Sequence, residues 1–467
     1  MSDRLTSVDV SFLAAEGPTT PLHVGGVAVL EPPEGGLDLA ALRRRVEERI
    51  ALVPRFRQRV RWVPGSLGAP VWADDARFDL AYHVRRVGLP APGTSAQLGT
   101  LVGRLIAIPL DRGRPLWELY LVEGLQHGRV AVVTKSHPAL VDGVSGVDLM
   151  HVLLDDSPGV PAAVTPVWRP APEPGPVDLV IDATVDLLRH PTAVAGTVRS
   201  GARGVWSMAG RLVGATGAGL LAAGRTAARP APAGPLSVEP GRQRRFAFVP
   251  TELEHYRRLR ARNGVTVNDV VLATVAGALR QWLLYRGVPV RPGSIVRTLV
   301  PTSVRGGPPA AFGPEVGAAV ATSLVDLPVG EPSPAVRLAQ IAYAMRAHAE
   351  PGRRVGADAL VRLSGFAPAT LNAMATRAAA GLSRRLFNLV VTNAPGPQRP
   401  LYAAGARLRE IYPVVPLAAG QAVAIGVTSY DGHVYYGLNA DWDAMGDINV
   451  LAGLLAESID ELTEAMV

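Results

Sequence analysis

The chain contains no cysteine. That excludes disulfides, thiolate metal sites and a cysteine nucleophile, and it suits a reducing compartment such as the cytoplasm. Lysine is almost missing as well. Lys135 stands alone, so arginine carries nearly all of the positive charge behind a net +7. The arginines are scattered, without finger spacing, a basic helix or an aromatic-basic stripe, which argues against nucleic acid as a partner. A basic surface still favours phosphate-bearing partners, phospholipid headgroups among them. No run reaches the roughly 20 strongly apolar residues of a membrane span. The most lipid-like stretch, Gly204 to Gly224, is glycine-rich and holds Arg211. Residues 1–17 lack a basic segment followed by an apolar one, so no signal peptide is expected. There is no H-E-x-x-H, no P-loop and no G-x-S-x-G, and His151, His190 and His433 have no partner at ligand spacing. Metal, nucleotide-triphosphate and serine-hydrolase chemistry are therefore not expected.

What is present can build large cores. A chain of 467 residues is long enough for two or three domains, at roughly 100–200 residues each. Its 48% hydrophobic against 19% charged content argues against disorder. Leu39, Leu42, Val46, Ile50 and Val53 step by three and four, which predicts an amphipathic helix. Leu253, Tyr256 and Leu259 repeat the pattern up to a stop at Asn263-Gly264. From Asn268 to Tyr285 the run is apolar on most sides and predicts a buried helix, with Asn268 where an N-cap would sit. Val450 to Met466 reads as a last amphipathic helix behind Asp447. Short β-branched runs predict strands over Val130 to Thr134 and Asn388 to Thr392, and a hairpin from Val423 to Thr428 and His433 to Leu438. Strands interleaved with helices in both halves imply an α/β protein of two layered domains. Between them, Pro158 to Pro176 and Arg229 to Pro240 are proline-rich and flank an Ala/Val/Leu/Gly stretch of helical character. The expected division is residues 1–157, a helical connector over 158–243, and residues 244–467.

Several blocks, taken in order, carry a resemblance. Leu5-Thr6-Ser7-Val8-Asp9 with Phe12-Leu13, Thr20-Pro21-Leu22-His23-Val24-Gly25, and Pro115-Leu116-Trp117-Glu118 lie in the first half. Val267-Asn268-Asp269-Val270-Val271-Leu272, Val300-Pro301-Thr302-Ser303-Val304-Arg305, Leu324-Val325-Asp326-Leu327-Pro328, Thr392-Asn393-Ala394-Pro395-Gly396-Pro397 and Ser429-Tyr430-Asp431-Gly432 follow. Together they resemble the wax ester synthase/diacylglycerol acyltransferase family over nearly the whole chain. The resemblance implies a fold like the coenzyme A-dependent acyltransferases related to chloramphenicol acetyltransferase, with two α/β domains meeting at a tunnel. It implies acyl-CoA as a substrate, diacylglycerol or a long-chain alcohol as acceptor, and no further cofactor.

The family's central motif is H-H-x-x-x-D-G, whose second histidine is the general base. Imidazole suits the task because an alcohol is a poor nucleophile until its proton is removed, and imidazole accepts protons near neutral pH. Here the string is His137-Pro138-Ala139-Leu140-Val141-Asp142-Gly143. His137 matches the first histidine, Asp142 and Gly143 match the aspartate and glycine, and Pro138 occupies the position of the base. Proline has no titratable group and no backbone N–H, so it cannot act as one. Strand alternation predicts a His137 ring facing away from position 138, packed or hydrogen-bonded.

Asn268 and Asp269 resemble the family's N-D pair near the tunnel, although helix capping also accounts for Asn268. Thr392 and Asn393 precede a Pro-Gly turn, where a hydroxyl or amide could bond an oxyanion, although turn chemistry also accounts for Asn393. Gly317-Ala318 stands where the family has Gly-Asn. His23 could face the tunnel or be satisfied in the core, and Trp117 and Pro115 read as packing. Three functions follow: an O-acyltransferase, slowed by Pro138; an inactive binder of acyl-CoA or lipid, or partner of an active paralogue; and a protein that docks on a membrane or lipid-droplet surface through its connector. The expected location is cytoplasmic or peripheral at a lipid surface.

Overall fold

The computed structural model describes residues 3–51, 53–66, 68–140, 149–159, 168–189, 231–304, 319–349 and 386–466. In the first half the strands are β1 (Asp3–Arg4), β2 (Val24–Glu31), β3 (Gln58–Arg61), β4 (Val71–Asp74), β5 (Val84–Gly88), β6 (Trp117–Glu123), β7 (Val130–Ser136) and β8 (Leu154–Asp155). The second half supplies β9 (Arg244–Glu252), β10 (Val296–Val304), β11 (Ala319–Leu327), β12 (Leu389–Pro395), β13 (Tyr402–Ala403), β14 (Ala406–Val414), β15 (Val423–Tyr430) and β16 (His433–Asp441). The helices are α1 (Ser7–Ala15), α2 (Leu39–Ile50), α3 (Leu80–His83), α4 (Ser95–Ala107), α5 (Leu149–Leu153), α6 (Pro176–Arg189), α7 (Leu253–Asn263), α8 (Val267–Tyr285), α9 (Pro334–Ala349) and α10 (Ile448–Ala465).

Two mixed sheets form, each with its own apolar core. The first runs β5-β6-β7-β2-β14-β13-β8, and the second runs β11-β10-β12-β15-β16-β9. A small third sheet, β1-β4-β3, stands beside the first. β7 is buried at every position between β6 and β2, which explains its run of Val and Ala up to Val133. β14, from late in the chain, pairs antiparallel with β2 and so links β13 and β8 to the first sheet. The two sheets also meet where α4 lies on β9, the edge strand of the second. A Cβ on Gly99 would stand 2.4 Å from the Phe246 carbonyl oxygen, and one on Gly103 would stand 2.4 Å from that of Arg244. Only glycine permits so close an approach, and it covers an edge that would otherwise be open.

The helices and the hairpin match the apolar spacing. α7 ends at Gly264 in the left-handed region, at φ 61°. β15 and β16 join through Asp431-Gly432, both at positive φ, the two-residue turn that strand twist favours. The N-cap expected at Asn268 is a correction: Thr266 caps α8, its hydroxyl accepting the Asp269 N–H while the Asp269 carboxylate accepts the Thr266 N–H. This reciprocal box satisfies two end amides at once, so it prevails over a single Asn cap. Asp447 starts α10 without capping it. Its carboxylate accepts from Trp282 Nε1 (3.0 Å) and Arg286 Nε (2.8 Å). In the connector region, Trp168 packs on Phe78 and under Arg57, and Glu173 pairs with Arg59 and Arg61, so its first described part lies on the small sheet. Gly204 to Gly224 and Gly317-Ala318 lie outside the described residues. Among the described residues no helix is long and apolar enough to cross a membrane.

Candidate active site

β7 delivers the motif. It ends at Ser136, and the chain then folds into a turn in which the Leu140 N–H donates to the His137 carbonyl (2.9 Å). Strand alternation therefore does not orient His137, as the sequence suggested it would. The ring instead curls over its own turn, and Nδ1 accepts the Ala139 N–H at 3.1 Å. His137 is 1% exposed, and burial drives its imidazole down to about 4 although Glu16 nearby favours the charged form. With Nδ1 occupied as an acceptor, the proton of the neutral ring sits on Nε2. Such a ring has no free lone pair to offer an alcohol. Pro138 is half-buried at the turn's first corner, while Asp142 and Gly143 lie outside the described residues.

Glu16, at the end of α1, was not singled out in the sequence. Its carboxylate accepts from Arg112 Nη2 (2.7 Å), stands 3.3 Å from His23 Nε2 and faces His137 Nε2 at 3.9 Å. Burial would raise this carboxyl, but His23, Arg112 and His137 outweigh it and hold it near 2. The signal that could have marked it is a lone acid between two apolar signature blocks. His23 is satisfied in the core, with Nδ1 3.3 Å from the Ile106 carbonyl and Nε2 3.3 Å from the Leu110 N–H.

A second network lies two residues back, on β7. Lys135 Nζ donates to the Leu105 and Ile108 carbonyls at the end of α4 (3.3 and 2.6 Å) and to Glu118 (3.0 Å). Glu118 also accepts from Tyr120 (2.7 Å) and Arg85 (3.2 Å). Burial opposes both charges. It lowers the Lys135 ammonium, while for Glu118 its lysine partner outweighs it and holds the carboxyl below the usual range. Trp117, beside it, is packing as expected: its ring stacks on His83 (4.5 Å between centroids) and Nε1 donates to the Phe56 carbonyl.

In the second sheet, the Asn393 amide donates to Asn268 Oδ1 at 3.2 Å, tying β12 to the first turn of α8. β12 continues to Pro395, so Thr392 and Asn393 lie within a strand and not at its end. Successive strand residues face opposite sides, so one site cannot use both side chains. Asp269 is committed to capping, though its Oδ1 is buried without a hydrogen-bond partner among the described residues. Among the described residues, the hydrogen bonds of this group do not reach those around His137. A cleft of about 190 Å³ lies elsewhere, at Arg129, Glu410, Tyr412, Phe248 and Ser95. That is the opposite end of β7, about 26 Å from His137 at roughly 3.3 Å per residue. Among the described residues no group of three His, Asp or Glu is arranged to hold a metal ion.

Known proteins bear on this geometry. Residues 5–271 match the model of the wax ester synthase/diacylglycerol acyltransferase catalytic domain, and residues 316–463 match the C-terminal domain of the same family. A probable diacylglycerol O-acyltransferase of Mycobacterium tuberculosis is 32% identical over 470 residues, spanning 100% of this chain and 96% of the relative. A second from that organism is 44% identical over 263 residues, 56% of this chain and 97% of the relative. The wax ester synthase/diacylglycerol acyltransferase of Marinobacter aquaeolei superposes with a TM-score of 0.70 at 28% identity, covering 99% of both chains. The first condensation domain of the calcium-dependent antibiotic synthetase shares the fold, with a TM-score of 0.59 at 16% identity over 100% of this chain and 97% of that one. These matches span both sheets and the turn at the end of β7, and the chain belongs to the wax ester synthase/diacylglycerol acyltransferase family.

Proposed function

We propose that the chain is an O-acyltransferase that moves a long acyl group from acyl-CoA to the hydroxyl of diacylglycerol or a fatty alcohol, and that Pro138 makes it a slow one. In this reaction the alcohol oxygen attacks the thioester carbonyl, its proton passes to a base, and the coenzyme A thiolate leaves. What supports the reading is the turn at residues 137–140, where His137 resembles the first histidine of the family's motif and Pro138 follows at the position expected of the base. Losing a positioned base costs about 10²–10⁴-fold in rate, or roughly 3–5 kcal/mol of barrier. Orientation of two bound substrates survives the loss and supports residual transfer. No metal or other cofactor enters the proposal. The lipid acceptor would be met at a membrane or inclusion surface from the cytoplasm.

Pro138 also favours a second reading, in which the chain binds acyl-CoA or lipid without turnover, alone or beside an active paralogue. The occupied Nδ1 of His137 supports the same view, since that ring cannot stand in as base. A transfer assay with radiolabelled acyl-CoA and vesicle-borne acceptor decides between them. Wild type is expected to be slow and Pro138→His at least about 10²-fold faster. Saturable acyl-CoA binding with no ester from either protein would select the binder, and a robust wild-type rate abolished by His137→Ala would overturn the role given to Pro138.

A further inference from the structure

Among the described residues, three hydrogen bonds hold the turn that carries position 138. The His137 N–H donates to the Leu116 carbonyl (2.9 Å), the Leu140 N–H donates to the His137 carbonyl (2.9 Å), and the Ala139 N–H donates to His137 Nδ1 (3.1 Å). The third exists only for one orientation of the ring. Turned over, the imidazole would present carbon to the Ala139 amide. Something must select that orientation, and the other ring nitrogen shows what does. His137 Nε2 is buried without a hydrogen-bond partner among the described residues and lies 3.9 Å from Glu16 Oε2.

Glu16 is itself fixed. Arg112 reaches its Oε2 with both Nε (3.2 Å) and Nη2 (2.7 Å), and the same guanidinium donates to the Leu13 carbonyl at the end of α1 (2.9 Å). The carboxylate side chain is 9% exposed, so its field on the imidazole is only weakly screened by water. A negative charge on that side favours the proton on Nε2, which leaves Nδ1 free to accept from Ala139.

We propose that Glu16, held by Arg112, is a positioning residue for the acyl-transfer site: it orients the His137 ring and, through the Ala139 amide, the turn that presents position 138 to substrate. The catalytic half of this inference rests on the acyltransferase reading, and the geometric half does not. Histidine side-chain ¹⁵N spectra of the full-length protein at pH 7 test the geometry. Wild-type His137, assigned with His137→Gln, is expected as the Nε2–H tautomer, and Glu16→Gln is expected to convert it to a tautomer mixture. An unchanged His137 signal in Glu16→Gln overturns the proposal. Should Glu16→Gln fail to fold, Arg112→Lys is expected to shift the same signal more weakly, and an unshifted signal there overturns it equally.

Kinetics test the catalytic half in the Pro138→His protein. Adding Glu16→Gln is expected to lower kcat by up to about 10²-fold, with KM for acyl-CoA within twofold, because misplacing the reacting group by about 1 Å has that effect. Equal losses in kcat and binding would mark a merely structural role and overturn this half. Should Pro138→His be inactive with acyl-CoA, the acyltransferase reading falls, and the spectra alone decide the role of Glu16.

Discussion

His83 and His137 are imidazoles that folding takes out of water. His83 is sandwiched between Phe78 and Trp117 with Nδ1 2.7 Å from the Trp117 carbonyl, and His137 lies against its own turn. Desolvation drives both from 6.5 down to about 4, so the folded chain refuses protons that the unfolded chain accepts. With a depressed folded pKa, their contribution is complete above pH 6.5 and is lost as pH falls towards 4. It amounts to as much as ~3 kcal/mol for each group. Glu16 adds a loss in the same direction lower down, as pH falls from 4.5 through about 2. Urea unfolding is therefore expected to give a midpoint that declines steadily from pH 7 to 4.5, and His83→Gln should flatten the decline. Equal midpoints at the two pH values would show that these rings are not buried as described.

At the scale of the element, the contact between α4 and β9 decides how the two sheets sit. Gly99 and Gly103 are one turn apart on α4 and both face backbone oxygens of β9. Gly103→Val must push the helix off the strand, because the atom it meets is main chain and cannot rotate away. A loss of about 1–3 kcal/mol in unfolding free energy is expected, as for other overpacked sites. Gly453 in α10 is the control. A Cβ there meets nothing within 4 Å, so Gly453→Ala should stabilise by up to ~1 kcal/mol through helix propensity. If Gly103→Val unfolds at the wild-type midpoint, α4 does not lock the sheets. In the sequence these glycines are two small residues in an amphipathic run, and nothing local says that another strand approaches them. The helices α2, α7, α8 and α10 and the β15–β16 hairpin were legible, since 3.6 and 2 are periods of a single segment. The α8 cap was misread because Thr266 and Asp269 act as a reciprocal pair, which a single-residue preference for Asn268 overlooks.

For the whole molecule, the missing residues of the sequence make an expectation of their own. The one lysine is spent inside, with Nζ on two carbonyls and a carboxylate, and there is no thiol. An amine-reactive reagent at neutral pH is expected to label the native chain once, at its amino terminus. A second label on Lys135 should appear in mass spectra only when urea unfolds the protein. Rapid native labelling of Lys135 would contradict its burial. The order of the signature blocks, the presence of two α/β layers and the proline in the motif are all properties of the chain read in one dimension, and the sequence by itself determined them. The late strand β14 joining the first sheet, the Nδ1 contact that fixes the His137 ring, and Glu16 standing between His23 and His137 were decided by the tertiary structure alone. Each depends on groups far apart in the chain, or on the orientation of one ring, meeting at distances of about 3–4 Å. No spacing along the backbone encodes that.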